Sequence, residues 1–256
     1  MSVEVHDHHG GAVQLTIFGS ALLAAALLGA LYAAGAAVHG GRTGDRRWVD
    51  SSRRGVYAVA GLLTTAVVLL EIAFLRNDFH FALVADHSST TTPTFYKLTA
   101  MWSSQEGSLL LWAWVLSLAS SGVLYITRRR HREIVPWATA ILAALGSFFI
   151  GLMIFKAQPF AHLDPAPAEG AGLTPLLRNP YMAVHPPMLY SGYVLWSIPF
   201  AFCMGALISR KLDASWIRTT RNFAGRVDVP RDRAAARLAL VVRGARLGRL
   251  LGLGSG

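Results

Sequence analysis

Long apolar blocks separated by shorter polar segments are the main pattern along this chain. Five blocks are long enough to cross a bilayer: about Ala12 to Val38, about Gly55 to Leu75, Ser108 to Thr127, Pro136 to Phe155 and about Pro187 to Ile208. Crossing the hydrocarbon core takes roughly 20 mostly apolar residues in a helix. Because lipid offers no partner to backbone N–H and C=O groups, each crossing segment has to be helical. The pattern predicts an all-α integral membrane protein with about five transmembrane helices.

The composition favours this architecture over a soluble helical bundle. Hydrophobic residues make up 53% of the chain, charged residues make up 15%, and the mean hydropathy is +0.41. Soluble domains contain about 25% charged residues. A soluble bundle would also carry polar residues at every third or fourth position of its helices, and the five blocks lack that spacing.

Basic residues are concentrated in alternate connections between the blocks. The connections after the first, third and fifth blocks contain clusters of arginine and lysine: Arg42, Arg46, Arg47, Arg53 and Arg54, then Arg128, Arg129, Arg130 and Arg132, then Arg210, Lys211, Arg218 and Arg221. The other two connections contain little more than Arg76, Lys97, Lys156 and Arg178. Lysine and arginine gather on the cytoplasmic side of membrane proteins. The sequence therefore predicts an inner (plasma) membrane protein whose N-terminus and two poorly charged loops face outward.

The net charge of +10 does not indicate nucleic-acid binding. Residues 226–256 contain seven arginines and two aspartates, which account for half of the net charge. The remaining charge follows the cytoplasmic bias, and no basic patch is interleaved with aromatic residues. We expect membrane lipid rather than nucleic acid beside these arginines. The single cysteine, Cys203, lies in the fifth block and excludes a disulfide framework.

The first outer loop, Arg76 to Gly107, mixes aromatic with polar residues and leads into the run from Trp102 to Trp112. Ser103 or Ser104 suits the N-cap of the next helix, and Glu106 suits its positively polarised first turn. Two interpretations stay open at this point. The loop is either a helix entry anchored by aromatic residues at the membrane surface or a binding loop.

The second outer loop, Lys156 to Pro187, ends in the run Asn179-Pro-Tyr-Met-Ala-Val-His185-Pro-Pro. Two prolines suit the first positions of a helix, so the fifth helix is predicted to begin at Pro186 or Pro187. That start would hold His185 in an extended conformation at the positive end of the helix, where a neutral imidazole is favoured. Neutral imidazole binds metals, including haem iron. The alternative is an ordinary capping or interfacial histidine.

Several other side chains compete as functional candidates. They are His6, His8 and His9 near the N-terminus, His80, His87 and His162 in the outer loops, and His131 among cytoplasmic arginines. None has the spacing of a metal-binding motif. Glu71 lies near the outer end of the second block, where an intramembrane carboxylate is either functional or paired with Arg76.

Four motifs occur in a specific order along residues 10–225. They are Asn77-Asp-Phe-His-Phe, Glu106-Gly-Ser-Leu-Leu-Leu-Trp112, Leu176-Leu-Arg-Asn-Pro and His185-Pro-Pro-Met-Leu-Tyr-Ser-Gly-Tyr193, followed by the run from Arg210 to Trp216. In these motifs the chain resembles the CcmF/NrfE haem-lyase family of cytochrome c-type biogenesis proteins. Gln105 departs from the family pattern, in which many members have histidine at that position.

The resemblance implies haem as the cofactor, with two functional loops on the outer side. His185 matches the first outer haem ligand of the family and would bind the haem iron, while Trp102 and Tyr190 would form part of the haem cavity wall. It also implies a haem chaperone, apocytochrome c and other cytochrome c maturation subunits as partners. The implied activity is that of a haem lyase component, and no residue is assigned to catalysis.

Residues 226–256 do not match the tryptophan-rich segment that the family has next. Codons for Gly-Trp-Gly-Gly-Tyr-Trp-Ala-Trp-Asp-Pro, read from the third base, give Leu-Gly-Arg-Leu-Leu-Gly-Leu-Gly-Ser, which is identical to the run from Leu247 to Ser255. We therefore expect an N-terminal haem-lyase part over 1–225 and an out-of-frame basic tail over 226–256. Such a chain is expected to be inactive alone.

Two other functions are compatible with a five-helix membrane protein. One is a transport or permease module, which typically has inverted repeats and broken helices at the membrane midplane. The other is a structural subunit that supports a partner without binding haem. No internal repeat is evident in this sequence, which favours the haem-lyase interpretation.

The predicted topology can be tested by cysteine labelling. In a Cys203→Ala background, a Pro165→Cys variant should react with a membrane-impermeant maleimide in intact cells, because position 165 lies in the second outer loop. A Thr43→Cys variant, in the first cytoplasmic connection, is the matched control and should react only after permeabilisation. The reverse pattern would contradict the predicted orientation.

Overall fold

The computed structural model describes residues 5–128 and 132–210, with side chains from residue 14 onward. Seven α-helices follow one another in the described part: α1 Val5–Thr43, α2 Arg46–Arg76, α3 Ala82–His87, α4 Thr94–Ala100, α5 Gln105–Thr127, α6 Val135–Lys156 and α7 Pro180–Ile208. Single 3-10 turns lie at Met101–Ser103 and Pro175–Leu177. The residues after 210, including the tail predicted to be out of frame, lie outside the described part.

Five of these helices are long and apolar enough to cross a membrane. They are Gln14–Thr43 within α1, and the whole of α2, α5, α6 and α7, with 30, 31, 23, 22 and 29 residues respectively. Their most apolar windows have mean hydropathies between 1.6 and 2.3. This confirms the predicted all-α membrane protein with five spanning helices.

The boundary of α2 differs from the prediction. The helix begins at Arg46 rather than near Gly55, because the Asp45 carboxylate accepts a hydrogen bond from the Arg47 backbone N–H at 2.9 Å and caps it. The arginines between Arg46 and Arg54 therefore lie on a helix instead of in a loop. Only Gly44 and Asp45 separate α1 from α2.

Small side chains bring α1 close to its neighbours. Ala26, Ala30, Ala33 and Ala37 are at most 3% exposed and lie along one face of α1. A β-carbon on Gly55 of α2 would lie 3.1 Å from that of Ala33, so the two helices meet with little side chain between them. Such small-residue faces drive helix association where lipid removes the hydrophobic effect between helices.

Side-chain hydrogen bonds tie the helices together at three levels. Tyr32 of α1 bonds Ser51 of α2 at 2.7 Å between their hydroxyl oxygens. The indole N–H of Trp114 on α5 donates to the Thr64 hydroxyl of α2 at 2.9 Å. The Gln158 amide, just after α6, donates to the Ser20 hydroxyl of α1 at 2.9 Å. These bonds fix the register between neighbouring helices, and α7 completes the bundle by packing against α5 and α6.

The bundle has two chemically different ends. One end carries the two long connections, residues 77–104 and 157–179, and we call it the loop end. The other end brings together the last turn of α1, the start of α2, the end of α5, the start of α6 and the last turn of α7, and we call it the basic end. Its lining includes Arg42, Arg46, Arg53, Arg128 and Arg132. The separation agrees with the charge pattern in the sequence, and the assignment of the loop end to the outer side stays a prediction.

The chain leaves α2 through a left-handed turn at Asn77. This residue has φ 54° and ψ 47°, and its backbone N–H bonds the carbonyls of Ala73 and Phe74. Its side-chain oxygen accepts a hydrogen bond from the Lys97 ammonium at 2.6 Å. Lys97 lies on α4 and is only 7% exposed, so this bond connects the end of α2 to a buried cation in the first loop.

The start of α5 requires a glycine at position 107. Ser104 is the N-cap, as predicted for Ser103 or Ser104, and its hydroxyl accepts a bond from the Gly107 N–H at 3.1 Å. Glu106 lies in the first turn, also as predicted. A β-carbon at position 107 would collide with the carbonyl oxygen of Met101, which is a backbone atom of the preceding 3-10 turn. Glycine thus permits the sharp entry into α5.

We predict that Gly107→Ala destabilises the protein, because the added methyl group forces the 3-10 turn away from α5. Overpacking of this kind costs about 1–3 kcal/mol. Gly146→Ala on α6 is the matched control, since nothing lies within 4 Å of the added β-carbon. Thermal unfolding in detergent should show a clear loss for the first variant and none for the control. Equal midpoints for both would contradict the close approach.

Candidate functional site

Backbone hydrogen bonds join the two loops at the loop end. The Leu163 N–H donates to the His80 carbonyl at 2.8 Å, and the Ala82 N–H donates to the Ala161 carbonyl at 2.9 Å. Further along, the Ala171 N–H donates to the Ala85 carbonyl at 2.7 Å. The first and second loops therefore form one layer, although about 80 residues separate them in the chain.

Side chains reinforce this layer. The Glu169 carboxylate accepts one bond from the Thr90 hydroxyl at 2.6 Å and another from the Thr90 backbone N–H at 2.8 Å. These bonds, the one from the hydroxyl first, lower the pKa of the Glu169 carboxyl below its ordinary value. His80 and His162 stack with ring centroids 5.9 Å apart, and the Asp78 carboxylate lies 2.9 Å from Nδ1 of His80. The loop layer is thus ordered by specific contacts.

The start of α7 corrects one prediction from the sequence. The helix begins at Pro180, where the Asn179 side chain accepts a bond from the Tyr181 N–H at 3.0 Å, and Pro186 and Pro187 lie inside it. His185 therefore has helical neighbours on both sides and does not stand at the helix lip. Because the helix dipole acts mainly within the first turn, it no longer argues for a neutral imidazole at this position.

Trp102 compensates for the proline at position 187. A proline has no N–H, so Pro187 cannot make the helical bond to the carbonyl of Ala183, four residues earlier. The indole N–H of Trp102 donates to that carbonyl at 2.9 Å. Ala183 is 4% exposed, so its carbonyl would otherwise lack a partner in a buried setting. This bond locks the first turns of α7 to the first loop.

A second set of contacts continues from Trp102 toward Tyr190. The Ser108 hydroxyl donates to the Trp102 carbonyl at 3.0 Å and lies 3.4 Å from the Tyr190 hydroxyl. The Tyr190 ring meets that of Trp112 edge-on, with centroids 5.3 Å apart. The starts of α5 and α7 are therefore held side by side.

A cavity of about 450 Å³ opens between these two helix starts. Its wall combines aromatic, aliphatic and small polar side chains: Trp102, Trp112, Tyr190, Leu109, Leu177, Pro186, Ser103, Ser104, Gln105 and Ser108. Ligand sites typically have about 300–1,000 Å³ and such a mostly apolar wall with a few polar groups. The structure thus places two residues singled out from the sequence, Trp102 and Tyr190, in the wall of one cavity.

His185 lies one residue before Pro186 of the cavity wall, but it does not line the cavity itself. Its side chain is exposed. No hydrogen bond or ring contact to a described residue occupies its imidazole. The sequence therefore identified a histidine that is held by a fixed helix and open to an incoming group, and its role as an iron ligand stays a prediction.

The competing candidates have other surroundings. His80 and His162 contact each other, and the His87 ring nitrogen lies 3.2 Å from the Leu83 carbonyl. Glu71 forms no ion pair with Arg76, and one of its carboxylate oxygens is buried without a partner among the described residues. No cluster of three metal-ligating side chains occurs within that part of the chain. The side chains of His6, His8, His9 and His131 lie outside it.

Sequence reasoning missed the bond between Trp102 and the Ala183 carbonyl, together with the linking role of Ser108. Two adjacent prolines in one helix leave two carbonyls without helical partners, and this could have indicated that a donor from elsewhere is required. Which donor it would be depends on the packing of α5 against α7. That packing is not visible in either segment alone.

The part of the chain that matches known proteins includes Trp102, His185 and Tyr190. The family model described as "Cytochrome C assembly protein" matches residues 102–242, more than half of the chain, and starts at Trp102. The chain belongs to this family.

Individual relatives match a longer part of the chain than the family model does. Cytochrome c-type biogenesis protein CcmF of Pseudomonas aeruginosa is 38% identical over 179 residues, which is 70% of this chain and 27% of the relative. CcmF of Escherichia coli K12 is 37% identical over 204 residues, 79% of this chain and 32% of the relative. NrfE of Haemophilus influenzae is 34% identical over 160 residues, 62% of this chain and 25% of the relative. The chain thus spans about a quarter to a third of the curated relatives it matches.

A solved structure supports the same relationship. The protein named "Cytochrome c Heme Lyase CcmF" superimposes with a TM-score of 0.69 at 29% identity, covering 82% of this chain and 33% of that one. The family match also includes residues 226–242, within the segment predicted to be out of frame. The reading frame of that segment stays a prediction.

The bond from Trp102 can be tested by a double-mutant cycle. Trp102→Phe removes the donor and leaves the Ala183 carbonyl unsatisfied, which costs about 1–3 kcal/mol. In a Pro187→Ala background the backbone N–H at position 187 becomes available to that carbonyl. The same tryptophan substitution should then cost clearly less, as measured by thermal unfolding in detergent.

A second cycle controls for the general effect of removing a proline from α7. Pro199→Ala restores an N–H elsewhere in the helix, where the Trp102 indole makes no contact. It should leave the cost of Trp102→Phe unchanged. Equal costs in all three backgrounds would show that the indole bond does not compensate for Pro187.

Proposed function

We propose that this chain takes part in cytochrome c maturation by binding haem at its loop end, on the outer face of the membrane. Haem is here the group that is handed on to apocytochrome c. Because the chain spans about a third or less of its relatives, we propose haem binding for it rather than complete haem-lyase activity. A haem chaperone and other maturation subunits are the proposed partners.

The observation that carries this proposal is the exposed imidazole of His185 on a helix turn fixed by Trp102. An iron ligand has to present the lone pair of one ring nitrogen to a group that arrives from outside the protein. The side chains of His80, His87 and His162 are only partly exposed, whereas that of His185 is exposed. Among the outer histidines whose side chains the structure describes, His185 meets this requirement best.

The cavity beside His185 fits the chemistry of a haem. A porphyrin is a large, flat and mostly apolar ring, and aromatic side chains contact such rings well. Trp102, Trp112 and Tyr190 supply aromatic surface, and the Ser108 and Tyr190 hydroxyls supply polar groups. Haem itself supplies the vinyl groups that react with cysteine thiols, while a protein supplies binding and orientation.

The residues of the site have separate tasks in this proposal. His185 binds the iron, and the helix turn that carries it keeps its position because Trp102 holds the Ala183 carbonyl. The aromatic side chains exclude water from one side of the ring. The joined loops provide the surface that a haem chaperone and an apocytochrome would meet in turn.

Haemin titration of the purified chain in detergent tests the proposal. The wild-type protein should bind haemin with a shifted Soret band, and His185→Ala should weaken binding about tenfold or more, which corresponds to about 1.4 kcal/mol. His87→Ala, at the same end of the bundle, is the matched control and should bind like wild type. In a full-length relative, replacing the histidine equivalent to His185 with alanine should abolish cytochrome maturation while the protein stays in the membrane.

Two results would contradict the proposal. Equal haemin affinity of wild type and His185→Ala would leave this histidine without a role as a ligand. No haemin binding by the well-folded wild-type chain would favour a structural subunit that supports a partner without haem. Circular dichroism of each variant, recorded before titration, separates loss of binding from loss of fold.

A further inference from the structure

The basic end contains a cavity of about 640 Å³, which is larger than the one at the loop end. It lies between the last turn of α1, the start of α2, Arg128 after α5, the residues just before α6 and the end of α7. Its charged lining consists of five arginines and two carboxylates: Arg42, Arg46, Arg53, Arg128, Arg132, Asp50 and Glu133. This cavity shares no residue with the one beside His185.

The charges of the lining do not cancel. Asp50 binds Arg53, with 3.0 Å between the carboxylate oxygen and the guanidinium nitrogen. Five arginines and two carboxylates leave the lining with an excess of three positive charges, however the carboxylates are paired. Several arginines around one space repel each other unless an anion lies between them.

One helix start in the wall lacks a capping side chain. The first turn of α6, which contributes Val135 and Pro136 to the wall, has no capping side chain at Ile134. The free N–H groups of a helix start attract phosphate oxygens.

Most of the uncharged wall is apolar, which suits an amphiphile better than a free ion. Val49, Val135, Pro136, Trp137 and Ile208 face the same space as the arginines. Tryptophan is enriched at the level of lipid headgroups. A ligand with a phosphate and adjoining hydrocarbon would contact both kinds of surface.

The length of α2 places this cavity at the depth of the headgroups. Its 31 residues extend about 46 Å at about 1.5 Å each, whereas the hydrocarbon core is about 30 Å thick and the whole bilayer about 40–45 Å. The apolar stretch from Gly55 to Leu75 matches the core. The preceding turns, which carry Arg46 and Arg53, therefore reach the headgroup layer.

We propose that this cavity binds the phosphate of an anionic phospholipid headgroup from the cytoplasmic leaflet. Basic pockets between transmembrane helices on the cytoplasmic side are known to bind such headgroups. The phosphate oxygens would accept bonds from Arg46, Arg53 and Arg128 and from the start of α6. The glycerol and upper acyl chain would lie along Trp137 and Ile208.

The test uses the purified full chain in a neutral detergent. Phosphatidylglycerol, phosphatidylcholine and inorganic phosphate are added separately, and bound lipid is counted by native mass spectrometry together with the shift in thermal midpoint. Phosphatidylglycerol should bind and raise the midpoint. Phosphatidylcholine and inorganic phosphate should have much smaller effects at the same concentration.

Neighbouring arginines provide matched variants. Arg46→Gln and Arg128→Gln change side chains in the cavity wall. Arg47→Gln and Arg54→Gln change side chains that also lie at the start of α2 but do not line the cavity. Each wall variant should bind phosphatidylglycerol about fivefold more weakly, which corresponds to about 1 kcal/mol per arginine. The outside variants should bind like wild type, and all four should unfold at similar temperatures without lipid.

Three outcomes would overturn the proposal. An equal effect of Arg47→Gln and Arg46→Gln would show a general attraction of the basic end to anionic membranes. An equal midpoint shift by inorganic phosphate would show an anion site that does not recognise lipid. Equal binding of phosphatidylcholine and phosphatidylglycerol would show that the arginines do not select the headgroup.

Discussion

The hydrogen bond from the Trp102 indole to the Ala183 carbonyl sets how α7 meets the first loop and α5. It supplies the donor that Pro187 lacks, and it joins the end of the first loop to the first turns of α7. The position of His185, the spacing of the cavity wall and the contact between Ser108 and Tyr190 all depend on how α7 meets α5. A tyrosine or phenylalanine at position 102 could preserve the aromatic surface, but neither would offer an N–H at the same place.

The glycine of the same motif makes this arrangement possible. Gly107 lets the Met101 carbonyl pass close to the first turn of α5, so that the 3-10 turn carrying Trp102 folds back toward α7. The short motif from Trp102 to Trp112 thus combines a donor, an N-cap, a close backbone approach and an aromatic wall. The family match begins at the first residue of this motif.

The spanning helices could be predicted from the sequence because lipid leaves a long apolar segment with one conformation. Ser104 and Glu106 could be placed at the start of α5 for the same kind of local reason. The start of α7 could not. Local rules place two prolines at the beginning of a helix. In the structure Asn179 caps an earlier turn, and the Trp102 indole donates to one of the carbonyls that the prolines leave without a helical partner. Prediction from sequence failed where a distant side chain changes the cost of a local conformation, and for the same reason it could not foresee the contacts between the two loops.

The turn at Asn77 has a consequence for which side chains that position tolerates. The left-handed backbone favours glycine or asparagine, while the buried Lys97 ammonium requires an oxygen acceptor. Glycine meets the first demand but leaves the cation without its partner. Glutamine carries an acceptor but not the preference for positive φ. Asparagine at position 77 therefore meets two requirements with one side chain: it tolerates the left-handed backbone, and it accepts the hydrogen bond of the buried Lys97. Both fix the direction in which the chain leaves α2.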